Sequence, residues 1–236
     1  MREHLSRFAL LPVLILAPAC RVNVQAQSPQ PIAIDLSSKT APFPHFWEQS
    51  FGSGRAILSL RESYRNELRE VKKIADFRYV RFHAIFHDEL GVYDEDENGK
   101  PIYNFTYVGQ IYDGLLANGV RPIVEISFMP KKLAVRQDLH PFWYKQNVAP
   151  PKDYGKWDTL IRNFGQFLVA RYGIDEVSHW YFEVWNEPNI DFWSGDPKQS
   201  TYFELYDHTA RALKSVNLRL RVGGVSDGIF EAAFSG

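Results

Sequence analysis

A carboxylate and an amide stand side by side at the end of a predicted strand. Residues 180–189 read WYFEVWNEPN, and the first half of this block alternates as a β-strand does. Asn186, Glu187 and Pro188 then end the strand, because proline cannot donate to a ladder and restricts the residue before it. Asn-Glu-Pro by itself also occurs at ordinary strand-to-loop junctions. In a parallel α/β barrel, however, the carboxyl ends of the strands are where catalytic side chains lie.

The whole ten-residue block resembles the signature of family 39 glycoside hydrolases, which comprises β-xylosidases and α-L-iduronidases. The resemblance extends over residues 52–224. It implies that Glu187 is the acid/base of a retaining glycosidase and that Asn186 holds the 2-hydroxyl of the sugar. Such chemistry needs both groups, because the leaving oxygen must be protonated as the bond breaks. Hydrogen bonds to the 2-hydroxyl also strengthen toward the oxocarbenium-like transition state.

Three further residues are expected to bind substrate under this resemblance. His83, at the carboxyl end of a predicted strand, resembles the histidine that contacts the sugar in the cleavage subsite. Phe128 would form a wall of that subsite, although a purely structural core aromatic is an equal alternative. Trp185, inside the ten-residue block, is assigned to the same subsite. His83 and His87 could suggest a metal site, but the H-E-x-x-H order and a third ligand are missing, so we expect no metal and no cofactor.

Charged residues also fall on the inward side of three predicted strands. Arg81 shares a strand face with His83, while Glu125 and Glu183 occupy the same parity on the next two strands. Buried charges need partners, so we predict that Arg81 pairs with at least one of the two glutamates.

A long aromatic loop narrows the resemblance within the family. Residues 142–145 (FWYK) and 147–154 (NVAPPKDY) closely match a loop of the xylosidase branch. This match favours a xyloside over a uronide as the substrate.

The composition is that of an ordinary globular protein. The 236 residues carry 27 basic and 28 acidic side chains, and 45% are hydrophobic. This balance gives no reason to expect nucleic acid or an acidic membrane as a partner. Aromatic residues make up 15% of the chain. They could fill a core or provide flat walls for sugar rings.

The first residues resemble a targeting segment. Arg2 and Arg7 precede an apolar run over residues 8–19 that is too short to span a bilayer. We predict that residues 1–26 are a signal peptide and that the protein is secreted or periplasmic, without a membrane span. A weak lipoprotein box ending at Cys20, the sole cysteine, is the alternative and would give a lipid anchor.

Apolar patterns predict strands and helices in strict alternation, which is typical of a parallel sheet covered by helices. With chemistry at the strand ends, this favours a (β/α)₈ TIM barrel over a doubly wound sheet, whose phosphate-binding fingerprint is missing. The predicted strands are residues 51–55, 79–82, 122–128, 180–184 and 220–223. The predicted helical faces are Tyr64/Leu68/Val71/Ala75, Val108/Ile111/Tyr112/Leu115/Leu116, Trp157/Leu160/Ile161/Phe164/Leu168 and Phe203/Tyr206/Ala210/Leu213.

The number of units predicts an incomplete barrel. Eight βα units typically need about 250 residues, and here the pattern stops within the fifth. Residues 27–236 are therefore expected to be an incomplete glycosidase catalytic domain, truncated after four to five units. The family's nucleophile is a second glutamate near the end of the seventh strand. No residue matches it, since Asp227 and Glu231 lack its context, so we expect the chain by itself to be inactive.

The leading interpretation is a retaining exo-glycosidase that hydrolyses β-1,4-xylosides or xylooligosaccharides. Two alternatives stay open. One is a family relative that acts on another pyranoside or uronide. The other is a non-catalytic carbohydrate-binding fragment. The sequence makes no prediction about the oligomeric state.

Overall fold

The computed structural model describes residues 41–224, and the fold below is that of the unit beginning at Pro44. The predicted signal peptide, Cys20, Asp227 and Glu231 lie outside the described residues. Among residues 41–224, no helix combines the length and the apolar character needed to cross a lipid bilayer.

A parallel sheet with helices between its strands forms the framework. The strands are β1 (Ser50–Arg55), β2 (Tyr79–His83), β3 (Tyr93–Glu95), β4 (Pro101–Tyr103), β5 (Arg121–Ile126), β6 (Tyr181–Val184) and β7 (Arg221–Gly223). The helices are α1 (Glu62–Ile74), α2 (Thr106–Leu116), α3 (Tyr154–Tyr172), α4 (Ile174–Val177) and α5 (Lys198–Val216). Short 3₁₀ helices span Phe46–Gln49, Ala56–Leu60 and Asp88–Leu90.

The order of the strands separates the two folds that the sequence left in competition. The main sheet runs β1-β2-β5-β6-β7, every pair is parallel, and its strands follow one another in chain order. A doubly wound sheet reverses its strand order at a switch point, and the sheet of residues 41–224 has no such reversal. Its strands instead succeed one another as they do around a barrel.

A small hairpin interrupts the alternation between β2 and α2, and the sequence analysis did not predict it. Strands β3 and β4 pair antiparallel. In the turn, a carboxylate oxygen of Asp96 accepts hydrogen bonds from the backbone N–H groups of Asn98 and Lys100, at 2.8 and 2.9 Å. Gly99 takes the positive φ of 74° that this turn requires. The Asn98-Gly99 pair was the available sequence signal.

Helices α3 and α5 pack together on the outer side of the sheet. The predicted face of α3 is confirmed, since its five apolar residues are all buried. The predicted face of α5 is correct for Leu213, which is buried, and in part for Tyr206, which packs half-buried against the core, but it is wrong for Phe203. The helix actually buries Tyr202, Leu205, Thr209, Ala212 and Leu213, while Phe203 is half exposed. Both sides of α5 carry apolar residues, so its packing against α3 and β6 decides which side turns inward. The two helices approach closely at Gly165 of α3, where an added Cβ would lie 3.3 Å from a methyl carbon of Leu213.

Aromatic side chains fill the space between the sheet and the helices. Phe86 meets Phe164 edge to face at a centroid distance of 5.0 Å, and Trp180 packs against Tyr112 in the same manner at 5.2 Å. The indole N–H of buried Trp157 donates to the hydroxyl of Thr209 at 2.9 Å. Many of the chain's aromatic residues therefore build the core between the sheet and the helices. The charged side chains of the strands lie on the opposite, inner face of the sheet.

Candidate functional site

The inner face of the sheet carries a buried charge network centred on Arg81. Its guanidinium forms two hydrogen bonds with Glu183, Nε to Oε2 at 2.5 Å and Nη2 to Oε1 at 2.8 Å. The same Nη2 lies 2.8 Å from Oε2 of Glu125. The prediction that Arg81 pairs with at least one glutamate is confirmed, and it pairs with both. The period of two along each strand brings these side chains to one face of three consecutive strands, β2, β5 and β6.

The electrostatics of this network favour a permanently charged arginine. Burial raises the pKa of Glu183, while the hydrogen bond and charge of Arg81 act in the opposite direction. Burial by itself would lower the pKa of Arg81, but its hydrogen bond to Glu183 and the charges of the nearby carboxylates outweigh this effect and raise that pKa. Arg81 therefore remains a cation that compensates two buried carboxyl groups.

Glu125 links this network to His83. One Glu125 oxygen accepts a short hydrogen bond from the Ser127 hydroxyl, whose oxygen in turn accepts from the backbone N–H of Ala84 at 3.2 Å. The other Glu125 oxygen lies 2.7 Å from Nδ1 of His83. A carboxylate only accepts, so Nδ1 carries the proton of this bond. In the neutral ring, Nε2 is then an acceptor that can face a ligand hydroxyl.

The end of β6 is bent sharply to present Glu187. Trp185 and Glu187 both take positive φ values, 70° and 41°, which cost free energy at non-glycine residues and concentrate at functional sites. Two buried hydrogen bonds hold the bend. The Trp185 indole donates to the carbonyl of Phe192 at 2.6 Å, and the Tyr202 hydroxyl donates to the carbonyl of Val184 at 3.1 Å. Glu187 itself is partly exposed.

Asn186 connects Glu187 to the charge network and has a defined orientation. Its Oδ1 accepts from Nη2 of Arg81 at 2.9 Å. Because arginine can only donate, this contact assigns the oxygen and the nitrogen of the amide. Nδ2 then lies 3.4 Å from Oε2 of Glu187. The Asn186 amide therefore presents a donor, not an acceptor, beside the Glu187 carboxylate.

The two aromatic residues of the predicted subsite lie in contact with each other. The rings of Phe128 and Trp185 meet edge to face at 5.6 Å, and Phe128 is 6.2 Å from the ring of His83. Both aromatic side chains are buried. They support the site from behind in this structure, and the sugar contact expected of each stays a prediction.

Phe192 is a site residue that the sequence analysis missed. Its ring stacks on His140 at a centroid distance of 4.2 Å and lies parallel to the rings of Phe128 and His83 at 6.0 and 6.4 Å. Burial lowers the pKa of His140, so this stack is neutral. Its signal in the sequence was the aromatic pair Phe192-Trp193, which shortly follows the Asn-Glu-Pro motif.

An open cavity of about 660 Å³ lies along the inner face of β6 and β7. Arg81 and Glu183 line it together with Arg221, whereas Glu187 does not. The cavity thus reaches the charge network but not the carboxylate at the strand end. Within residues 41–224 there is no group of three or more His, Cys, Asp or Glu side chains placed to hold a metal ion.

A parallel barrel-type sheet that presents an Asn-Glu pair at the carboxyl end of a strand is the arrangement of a glycoside hydrolase of the (β/α)₈ class. The profile of glycosyl hydrolases family 39 matches residues 30–233, and the chain belongs to this family. The predicted family and fold class are thereby confirmed.

Relatives that resemble the chain include bacterial β-xylosidases and mammalian α-L-iduronidases. It is 47% identical to a β-xylosidase of Geobacillus stearothermophilus over 77% of its own length and 36% of the relative's. It is 38% identical to a β-xylosidase of Caldicellulosiruptor saccharolyticus over 84% of its own length and 40% of the relative's. A crystal structure of a monomeric β-xylosidase from Caulobacter crescentus superposes with a TM-score of 0.73 at 43% identity, covering 80% of this chain and 38% of that one. The chain therefore spans less than half the length of these relatives.

Proposed function

We propose that this protein contributes the acid/base part of a retaining exo-glycosidase that hydrolyses β-1,4-xylosides or xylooligosaccharides. The observation that carries the proposal is the Asn186–Glu187 pair, in which Arg81 fixes the amide so that its N–H group lies beside the carboxylate. The names and identities of the bacterial relatives support xylosides as the substrate class.

In the proposed mechanism, Glu187 protonates the glycosidic oxygen as the leaving group departs, and then acts as the base that activates water. Asn186 donates from Nδ2 to the 2-hydroxyl, a hydrogen bond that strengthens as the ring flattens. His83 accepts from another sugar hydroxyl through Nε2, because Glu125 holds its Nδ1 proton. Arg81 acts through Asn186 by keeping its oxygen turned away from the substrate.

Retention also needs a nucleophilic carboxylate about 5–5.5 Å from the acid/base. Glu125 and Glu183 are poor candidates, since Arg81 engages both of them. We propose that the nucleophile comes from a strand that is not among residues 41–224. On this proposal residues 41–224 bind xylosides but do not turn them over by themselves.

A leaving-group series tests the assignment of Glu187. The chain is joined after Gly224 to the remaining barrel of the Geobacillus relative, and hydrolysis of aryl β-xylosides is compared with that of the Glu187→Gln variant. We expect the variant to lose roughly 10²–10⁴ in rate with poor leaving groups, the usual contribution of general acid catalysis. It should lose much less in the glycosylation step with activated aryl groups, which depart without a proton. An equal loss for both groups of substrates would contradict the role of Glu187.

The unmodified chain tests the origin of the nucleophile. A soluble preparation is assayed with an aryl β-xyloside beside its Glu187→Gln variant. No turnover is expected from either. Turnover that disappears in the variant would show that the chain supplies both carboxylates. If the joined protein hydrolyses aryl uronides in place of xylosides, the alternative of a relative that acts on uronides is favoured. If it binds sugar without turnover, a carbohydrate-binding role is favoured.

We also propose export through the signal peptide at residues 1–26. Expression in a bacterial host, cell fractionation and mass spectrometry of the mature N-terminus test it. A mature protein starting at Gln27 is expected outside the cytoplasm, whereas a lipid-modified N-terminal Cys20 would favour the alternative.

A further inference from the structure

A second pocket lies beside His83, on the side of β1 and away from the β6–β7 cavity. Its volume is about 350 Å³, which is at the lower end for small-molecule sites. Its lining consists of Gly54, Arg55, Leu58, His83, Phe142, Trp143 and Tyr144. His83 therefore borders both this pocket and the charge network that orients Asn186. We call it the Arg55 pocket.

Arg55 is built into the pocket and still has donors to offer. The residue is only 9% exposed, and its Nε donates to Oε1 of Glu89 at 2.8 Å. Within residues 41–224, neither of its terminal amino groups makes a hydrogen bond, and neither is sealed off from solvent. The guanidinium is therefore buried and its charge is compensated by Glu89, but it can still donate two hydrogen bonds. Such a group is suited to a ligand with adjacent oxygen atoms.

The same arginine also contacts the aromatic side chains of Trp143 and Tyr144, which form one wall of the pocket. The guanidinium lies 4.2 Å from the ring centroid of Trp143 and 5.0 Å from that of Tyr144. The carbonyl of Tyr144 is bound by Nε2 of His87 at 2.9 Å, which ties the loop to the segment after β2. Trp143 is nevertheless 75% exposed. A large aromatic side chain that is fixed at the mouth of a pocket and exposed to solvent provides a flat apolar surface for a ligand.

These features describe a saccharide site. A pyranose ring has C–H groups that pack on an aromatic face and neighbouring hydroxyls that accept from a guanidinium fork. The Glu89 carboxylate neutralises Arg55, so the pocket favours a neutral sugar over an acidic one. We propose that the Arg55 pocket is a subsite for a second, neutral xylosyl unit, next to the unit bound at Asn186 and Glu187. This inference rests on the proposed function, because the xylosyl identity comes from it.

Binding by the unmodified chain tests the subsite without requiring turnover. Xylose and xylobiose are titrated into the protein by calorimetry, with saturation-transfer NMR as a second readout. Xylobiose is expected to bind more tightly than xylose. Trp143→Ala should reduce xylobiose affinity by roughly three- to tenfold, the range for one lost aromatic contact, and leave xylose affinity unchanged. Arg55→Lys, which keeps the charge but loses the fork, should reduce the xylobiose preference in the same direction.

The matched control is Tyr107→Ala, which removes an aromatic side chain of α2 that is 46% exposed and lies outside the pocket lining. It should bind both sugars as the unaltered chain does, and thermal unfolding of each variant shows whether the fold is kept. Equal affinity for xylose and xylobiose in the unaltered chain, or no binding of either, would overturn the subsite. So would a Trp143→Ala variant that keeps the preference for xylobiose. Tighter binding of a uronate-substituted xylose would overturn its neutral character. The role of Glu187 is tested separately by the leaving-group series, so the two proposals can fail independently.

Discussion

Replacing Arg81 with methionine is expected to destabilise the protein strongly, because it removes the cation that pairs with two buried carboxylates on neighbouring strands. The Glu125 side chain is fully buried, and that of Glu183 is 11% exposed. Arg81 makes ion pairs with both and a further hydrogen bond to Asn186. Methionine has a similar length but no donor, so the change removes the charge compensation while filling much of the same space.

The size of the effect follows from the cost of an unpaired buried charge. Breaking a buried ion pair by removing one partner typically costs about 3–5 kcal/mol. A whole domain is usually stable by only about 5–15 kcal/mol. We therefore expect a large decrease in the urea concentration at the unfolding midpoint, with little change in the slope of the unfolding free energy against urea concentration. The second mutation Glu183→Gln should recover part of the loss, since it removes one of the uncompensated charges.

The pH dependence of the variant gives an independent check. Burial raises the pKa of Glu183, and without Arg81 the hydrogen bond and charge that act against this rise are lost. A group whose folded pKa is raised stabilises the fold when protonated, and this contribution is lost as the pH rises. The free-energy difference between the unaltered protein and Arg81→Met should accordingly shrink as the pH is lowered from 7 toward 5.

The matched control is Arg211→Ala, which removes an arginine from an ion pair with Asp207 whose side chains are 75% and 60% exposed. Exposed pairs contribute only about 0.2–1 kcal/mol. If Arg81→Met and Arg211→Ala cost similar amounts at pH 7, the buried network does not have the role described for it.

Three further predictions concern stability. Burial acts to raise the pKa of Glu95, but hydrogen bonds from its lysine partners lower it to about 2, below the ordinary 4.5. The stability that the ionised Glu95 contributes is present above pH 4.5 and lost toward pH 2. Glu95→Gln should therefore cost about 2 kcal/mol at pH 7, allowing for solvent screening, and the free energy of unfolding of this variant should fall less steeply between pH 4.5 and pH 2. Gly195→Ala would place a Cβ against the Thr201 hydroxyl and should cost about 1–3 kcal/mol in urea unfolding, and an unchanged unfolding midpoint would contradict this prediction. Trp157→Phe removes the donor to Thr209 and should cost about 1–3 kcal/mol, and a smaller cost in a Thr209→Val background would identify the hydrogen bond as the cause.

Periodic patterns and local chemistry carried much of the fold and part of the site. The apolar stripe of α3 was readable because only one side of that helix is continuously apolar. The pairing of Arg81 with Glu125 and Glu183 followed from strand parity, since neighbouring parallel strands bring side chains of equal parity to one face. The position of Glu187 at the end of β6 followed from proline, which cannot extend a strand.

Other features depended on contacts between segments that are distant in the chain. The inward face of α5 was misjudged because Phe203 and Tyr202 are both large and aromatic, and only packing against the rest of the fold, such as the bond of the Tyr202 hydroxyl to β6, discriminates between them. Phe192 and His140 stack although 52 residues separate them, which no local pattern encodes. The orientation of the Asn186 amide is set by Arg81 on another strand. The Arg55 pocket likewise joins the end of β1 to the loop at residues 142–144. Local sequence encodes which elements form and which residues end them, but the partner of a side chain is determined by packing, which a linear pattern does not contain.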